Sequence, residues 1–450
     1  MTQAKNQPFD SRDSVGPQNA DNPYYSYQLD FLLNEIKYLQ QSSNDFVWKF
    51  LKLRMQELCW TIERLIGQHV KLVRPVPAQE RVEMRPGPRV LVDCTETHRN
   101  GLNTGIQRVV REVAKASIAN GGALPVIIEN GRLISYFQHP DLPDVVDIRE
   151  GDQFLLLDSG WALLDERIPI MQEVSRRGGS NICCIYDLIP LLYPAMFAFE
   201  ISERFLDWLK TSLPYCDAIV TISKSVAEDF INYVSANELR YKPSLPIGWF
   251  HLGADFSVEI DRPVSRQVQN ICEKTPFFLT VGTLEPRKNH TAALAAFELL
   301  WKAGTDVRYV IVGRFGWLAH ALRDRIVRHP EFGRRLFWLE HADDTNLHVL
   351  YRHATAVIQP SIAEGFGLPI IEAAHFGAPV IASDIRIFRE IGGQSISYFD
   401  PMDPNALARC IQEALVSPRV APSISPLSWT EATERLLRLV KDETYPYKLA

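Results

Sequence analysis

The chain has 450 residues, 46% hydrophobic and 23% charged, with a formal net charge of -6 and a pI near 6.0. That length allows two or three domains with sizeable cores, and the acidic balance argues against an electrostatic hold on nucleic acid. The seven cysteines, at 59, 94, 183, 184, 216, 272 and 410, show no CxxC spacing, the N-terminus is polar, and no run of about 18 apolar residues occurs. A disulfide framework and a membrane-spanning helix are thereby disfavoured, and a cytoplasmic protein with reduced thiols is expected.

Residues 1–23, rich in Asn, Gln, Asp, Ser and Pro, are predicted to be a disordered tail. Residues 24–87 read as a helical extension and linker. Leu32, Leu39, Phe46, Leu53 and Trp60 recur every seven residues, and SSND at 42–45 offers a break and a new N-cap, so two amphipathic helices are expected over 24–72. Their apolar face suits peripheral membrane contact, a partner or a second copy, and equally suits packing on the chain's own globular part. Pro75, Pro77, Pro86 and Pro88 then mark a linker.

A first α/β domain is expected over 88–260. RVLVDCTE reads as a strand, HRNGLNTG as a polar turn, and IQRVVREVAKASIAN as a helix, with Thr104, Gly105 and Arg108 where turn meets helix. Ordinary turn chemistry competes with a ligand role there. Strands follow at 153–157, 181–186 and 218–222, separated by helical patterns, as a doubly wound domain requires. Tyr186 and Asp187 stand at a strand end, in IYDLIPLLYP. Asp187 is suited to accepting a proton or fixing an acceptor, and equally to capping the turn before Ile189-Pro190. The apolar loop LIPLLYPAMFAF is too short to span a bilayer but long enough to graze a membrane or a lipid-linked molecule. Ser225 and Glu228 form an expected capping box, FHLGAD closes the domain, and 261–276 reads as a polar interdomain linker.

A second domain is expected over 277–424, with strands at 277–281, 309–312, 336–339, 356–359 and 380–382. FFLTVGTLEPRKNH places Arg287 and Lys288 past a strand end, where open α/β sheets bind ligands, and Gly313 stands at the next such end. Asp343-Asp344 lacks metal-site spacing and reads as an N-cap. In TAVIQPSIAEGFGLPIIEAAHFGAPVIASD a strand runs into a glycine turn and a helix. Gly365, Phe366, Gly367 and Leu368 offer backbone N–H groups to an anion, while Glu364 and Glu372 are suited to neutral vicinal hydroxyls. Two cations for a diphosphate beside two acids for hydroxyls describe a nucleotide-sugar site; the blander alternative is that the acids only complement a helix N-terminus. Residues 425–450, with Ser428 and Glu431 as a capping box, read as a helix crossing back to the first domain.

EPRKN, PSxxEGFGLPxxEA and GAPVIAS at these distances resemble the donor half of the retaining glycosyltransferases of family 4. The likeness is specific over 277–384 and weaker over about 88–442. It implies an α/β protein of the GT-B fold, with two Rossmann-like domains facing a cleft beside the N-terminal helical extension. It further implies that Lys288 and Arg287 hold the donor phosphates, Glu372 the ribose diol and Glu364 the transferred sugar. Tyr186 stands where many relatives have a His near the reacting bond, and Thr283 where many have an Arg just past the strand glycine. TGIQRVVR resembles a bacterial subgroup that includes mannosyltransferases of surface-polysaccharide synthesis. The implied partners are a nucleoside diphosphate sugar, with GDP-mannose the expected donor, and a glycan or lipid-linked acceptor, with no metal or other cofactor. A double displacement needs two carboxylates flanking the bond, whereas Glu364 and Glu372 share one lobe. A phosphorylase or synthase of the same fold and an inactive scaffold subunit are the competing readings.

Overall fold

Short apolar runs alternating with helices build two sheets in a computed structural model that describes residues 74–78, 81–84, 87–101, 105–255, 263–273, 275–417 and 419–449. The tail expected at 1–23, the helices expected at 24–72, and Thr104 lie outside the described residues.

The strands in chain order are β1 (Val90–Asp93), β2 (Leu124–Glu129), β3 (Arg132–Ser135), β4 (Gln153–Leu156), β5 (Ser180–Ile185), β6 (Ala218–Thr221), β7 (Leu245–Trp249), β8 (Phe277–Val281), β9 (Arg308–Val312), β10 (Leu336–Leu339), β11 (Ala356–Gln359), β12 (Val380–Ser383), β13 (Ser397–Phe399) and β14 (Tyr447–Leu449). The first sheet has the order β14-β7-β6-β5-β4-β1-β2-β3 and the second β10-β9-β8-β11-β12-β13. Pairing is parallel except at the first sheet's edges, where β3 and β14 run antiparallel. Every residue of β1, β6, β11 and β12 is buried, because helices cover both faces of a parallel sheet. On β8, Phe278 packs into one core and Phe277 and Leu279 into another, as the alternation of a strand demands.

Each sheet winds in two directions from a central pair, β1/β4 in the first and β8/β11 in the second. Such switch points open a crevice at the strands' carboxyl ends. In the first lobe the chain packs that region with its own side chains. Arg167, 1% exposed, pairs with Asp93 at 2.5 Å and donates to the Asp158 carbonyl at 2.9 Å. Burial, and next the Asp93 charge, push the Asp158 carboxyl up to about 6.

Several sequence expectations need correction. The polar turn after β1 begins as a helix, Thr95–Asn100, because Asp93 accepts the Thr95 N–H at 3.0 Å and Asp158 accepts that of Thr97 at 2.5 Å. The proline-rich stretch before the first domain is docked rather than free. Gln138 donates to the Pro75 carbonyl at 2.8 Å, Arg74 pairs with Asp144 at 2.9 Å, and Val82 is buried. Within the 261–276 linker stands a helix, Arg266–Cys272, capped by Ser265, with Val268 and Ile271 in the second lobe's core. The helix Lys224–Ala236 is capped by Ser223, whose Oγ accepts the Val226 N–H, and not by Ser225. The last helix, Trp429–Lys441, has the Ser428–Glu431 capping box and packs on the helix Gly105–Ala119. The chain then adds β14 to the first sheet beside β7.

Candidate functional site

The chain leaves β8 through a turn that ends in a short 3-10 helix, Pro286–Lys288, and begins the helix His290–Lys302 at Asn289. Asn289 takes φ 50° and donates from its side chain to the Pro401 carbonyl at 2.8 Å, which anchors the turn from behind. The neighbouring strand β11 leads into residues 360–367 and the helix Leu368–His375. Ile362 N–H donates to the Arg287 carbonyl at 2.8 Å, so the two turns at the β8/β11 switch point form one unit. Two glycines make the second turn. Gly367, at φ 112°, allows the chain to reverse into the helix. A Cβ on Gly365 would collide with the Tyr186 carbonyl of the first lobe, and Ser223 Oγ donates to the Gly365 carbonyl at 2.9 Å. Gly313, past β9, lies against the Gly282 carbonyl and accepts from Trp338 Nε1 at 2.8 Å.

Glu364 stands at the centre of the charges. Arg287 Nη1 reaches one oxygen at 2.6 Å, while Lys288 Nζ at 2.5 Å and Ser361 Oγ at 2.7 Å reach the other. Arg287 Nε also pairs with Glu285 at 2.7 Å. Burial alone would raise the Glu364 carboxyl, but Arg287 and Lys288 outweigh it and hold it at about 2. Burial raises the Asp187 and Glu285 carboxyls, with Arg287 the main opposing charge at each. Two cations therefore stand among three acids.

Glu372, 4% exposed, faces the first lobe. Arg108 Nη1, on the helix Gly105–Ala119, approaches one oxygen at 2.6 Å, and Tyr351 donates its hydroxyl to the other at 2.6 Å. Gly105 lies beside Leu368. The structure thus brings Arg108 and Gly105 to the second-lobe turns, and Asp187 beside Arg287 and Glu364.

One candidate is placed differently from the sequence expectation. Tyr186 turns its ring inward and donates its hydroxyl to the Leu157 carbonyl at 2.9 Å, so its backbone, not its phenol, meets the Gly365 turn. Phe366 is 4% exposed and packs in the first lobe's core beside His251, ring centroids 5.6 Å apart, which leaves its main chain, the part that the sequence reading invoked, at the turn. Asp187 accepts the Ile189 N–H at 3.0 Å, the turn-capping arrangement. Asp343 accepts the Asn346 N–H at 2.9 Å and caps the helix Asp344–His353. No group of three or more His, Cys, Asp or Glu suited to a metal occurs among the described residues. Sequence reasoning missed Glu285, Ser361, Ser223 and Tyr351. Glu285 and Ser361 sit inside the quoted motifs, whereas nothing local marks Tyr351.

The lobes are joined on both sides of the turns. Glu390 accepts from the Lys224 N–H at 2.9 Å, the Ser225 N–H at 2.8 Å and Ser225 Oγ at 2.6 Å, and pairs with His251 Nε2 at 2.8 Å. A second-lobe carboxylate thus sits on a first-lobe helix N-terminus. Elsewhere Trp317 donates to the Met196 carbonyl at 2.9 Å and stacks on Phe197. Burial would raise the Glu390 carboxyl, but His251, Ser225 and the two amides bring it from the usual 4.5 to about 2. A depressed carboxyl contributes stability above its unfolded pKa and loses it as pH falls through the folded one. Thermal unfolding of Glu390→Gln is therefore expected to lose less stability than the parent between pH 4.5 and 2. Equal slopes would remove this contact from the acid response.

Residues 261–435 match the family described as glycosyl transferases group 1. The chain is 32% identical over 376 residues to the serotype-specific mannosyltransferase WbdA of Escherichia coli, an alignment covering 78% of this chain and 44% of that protein. It thus spans less than half the length of that curated relative. It is 28% identical over 228 residues to the O-antigen chain mannosyltransferase RfbU of Salmonella typhimurium, covering 51% of this chain and 59% of the relative. The structure of HepE from Anabaena in complex with UDP and glucose is 14% identical and superposes with a TM-score of 0.51 over 78% of this chain and 95% of that one. With the second-lobe turns inside the matched residues and the likeness to WbdA extending over both lobes, the chain resembles the glycosyl transferases of group 1 and has the GT-B fold.

Proposed function

We propose that the chain is a retaining hexosyltransferase that moves mannose from GDP-mannose onto a hydroxyl of a glycan or lipid-linked glycan in surface-polysaccharide synthesis. The observation that carries this reading is the convergence of Arg287 and Lys288 on Glu364 at the β8/β11 switch point, beneath first-lobe residues Arg108 and Asp187. A diphosphate replaces the Glu364 carboxylate as partner of the two cations, and the start of the helix Leu368–His375 adds its dipole. Glu364, released, accepts from the sugar hydroxyls, and Glu372 from the ribose diol. The mannosyltransferase names of the two relatives support the choice of sugar.

In the step proposed, the bond from C1 to the phosphate oxygen breaks with its electron pair leaving on the diphosphate. The acceptor oxygen bonds C1 on that same face, and its proton passes to the departing phosphate oxygen. Products are the glycoside, with the configuration kept, and the nucleoside diphosphate. Arg287, Lys288 and the helix dipole stabilise the charge that develops on the leaving group. No helix among the described residues is long and apolar enough to cross a membrane; we place the reaction in the cytoplasm, with residues 24–72 as the contact to a membrane surface or partner.

The test is thermal stabilisation by a panel of nucleotides, followed by transfer assays. A ligand at about 100 times its Kd adds roughly 2.7 kcal/mol of stability. Guanosine diphosphate and GDP-mannose are expected to stabilise most, with an α-linked product from the α-linked donor. Stabilisation by no nucleoside diphosphate would sink the reading, and a product of inverted configuration would sink its stereochemistry.

A further inference from the structure

We propose that Tyr351 is a positioning residue that fixes the Glu372 carboxylate for the ribose diol, and so sets a preference for ribonucleotide over deoxyribonucleotide donors. This inference rests on the reading that Glu372 takes the ribose. Tyr351 stands on the helix Asp344–His353, fully buried, and donates its hydroxyl to Glu372 Oε2 at 2.6 Å. Its ring stacks on Phe376 with centroids 5.5 Å apart and planes 15° apart. Phe376 closes the helix that carries Glu372, its N–H donating to the Glu372 carbonyl at 3.1 Å. Tyr351 therefore braces Glu372 twice, through the carboxylate and through the end of its helix. Burial, and next the Glu372 charge, raise the phenol well above its ordinary range, so it stays a donor.

The other oxygen, Oε1, is the one approached across the cleft by Arg108, whose side chain is 27% exposed. A diol needs acceptor lone pairs in a fixed direction, and a carboxylate held at one oxygen presents the other in one orientation. Having no exposed surface, Tyr351 reaches a ligand only through Glu372. A role confined to packing would weaken ribose and deoxyribose ligands alike; a positioning role weakens only the former.

Isothermal titration of the full chain with guanosine and uridine diphosphates and their 2′,3′-dideoxy counterparts separates these cases. The parent is expected to prefer the ribose form of the base it binds by about tenfold or more, the scale of one charge-assisted hydrogen bond. Tyr351→Phe should narrow that ratio by at least about threefold, leave the dideoxy affinity in place, and have no effect on the ratio in a Glu372→Gln background. A parent with no ribose preference overturns the Glu372 reading and this inference with it. A parent preference that Tyr351→Phe leaves intact, or equal losses for both ligands, overturns the role of Tyr351 alone. Should that variant not fold, Phe376→Leu removes the stack and keeps the hydroxyl; an undiminished ratio there also overturns the proposal.

Discussion

Glu364→Gln is expected to lower turnover with the complete donor by about 10²-fold or more, while its affinity for the bare nucleoside diphosphate does not fall. Both halves follow from the contacts of Glu364 with Arg287, Lys288 and Ser361. A diphosphate must compete with this carboxylate for the cations, and an amide of the same size removes the competitor. The sugar loses its charged acceptor at the stage when charge develops at C1, where such contacts matter most. Lys288→Ala is expected to behave oppositely, weakening the bare nucleotide by about 1.5–3 kcal/mol, the range for hydrogen bonds to charged groups. Glu372→Gln should weaken it by about tenfold through the ribose. Titration with the nucleotide and transfer assays on the three variants decide the matter. Equal nucleotide losses in Glu364→Gln and Glu372→Gln would show that both acids only support the helix start.

Arg287→Ala is expected to destabilise the protein by about 3 kcal/mol or more at pH 7, because removing one member of a buried ion pair strands its partners. Glu285 and Glu364, with side chains 2% and 8% exposed, would face Asp187 with Lys288 as the remaining cation among these contacts. The unfolding temperature should fall by roughly 6 °C or more, at about 2–4 °C per kcal/mol for a domain of this size. The pH dependence carries the sign. In the parent, Glu364 at about 2 contributes stability above pH 4.5 that is lost as pH falls toward 2. The variant lacks the main charge that depresses this carboxyl, so the gap between the two proteins should close with acid. Denaturant unfolding at pH 7 and pH 4 measures this; a gap that stays constant would show that Arg287 acts by packing and not by charge.

The strands around the candidate site were legible because parallel strands covered on both faces read as continuous apolar runs stopped by glycine, proline or charge, as in AVIQP and FFLTVG. The strands missed are those in which local signals conflict. β2, LPVIIE, and β7, LPIGW, contain a proline, Gly248 also interrupts β7, and β3, β13 and β14 are edge strands of three or four residues. The helix Arg266–Cys272 was missed because only Val268 and Ile271 face the core.

By itself the sequence determined the α/β fold class, the place of Arg287, Lys288 and Glu364 in turns past strand ends, and that of Glu372 on the helix that follows. Those features depend on spacing within a few residues of a turn, and a turn's chemistry is local. Only the tertiary structure decided which charge meets which. Arg108 reaches Glu372 from 264 residues away, Tyr351 reaches it from a helix whose pattern marks nothing but burial, and Ser225 leaves the cap to Ser223 and donates its hydroxyl to Glu390. The Tyr186 ring could turn toward the cleft or the core, and the Leu157 carbonyl, an acceptor within reach of its hydroxyl at 2.9 Å, directed it inward. Such pairings belong to tertiary packing, within a lobe or between the two, which no local periodicity encodes.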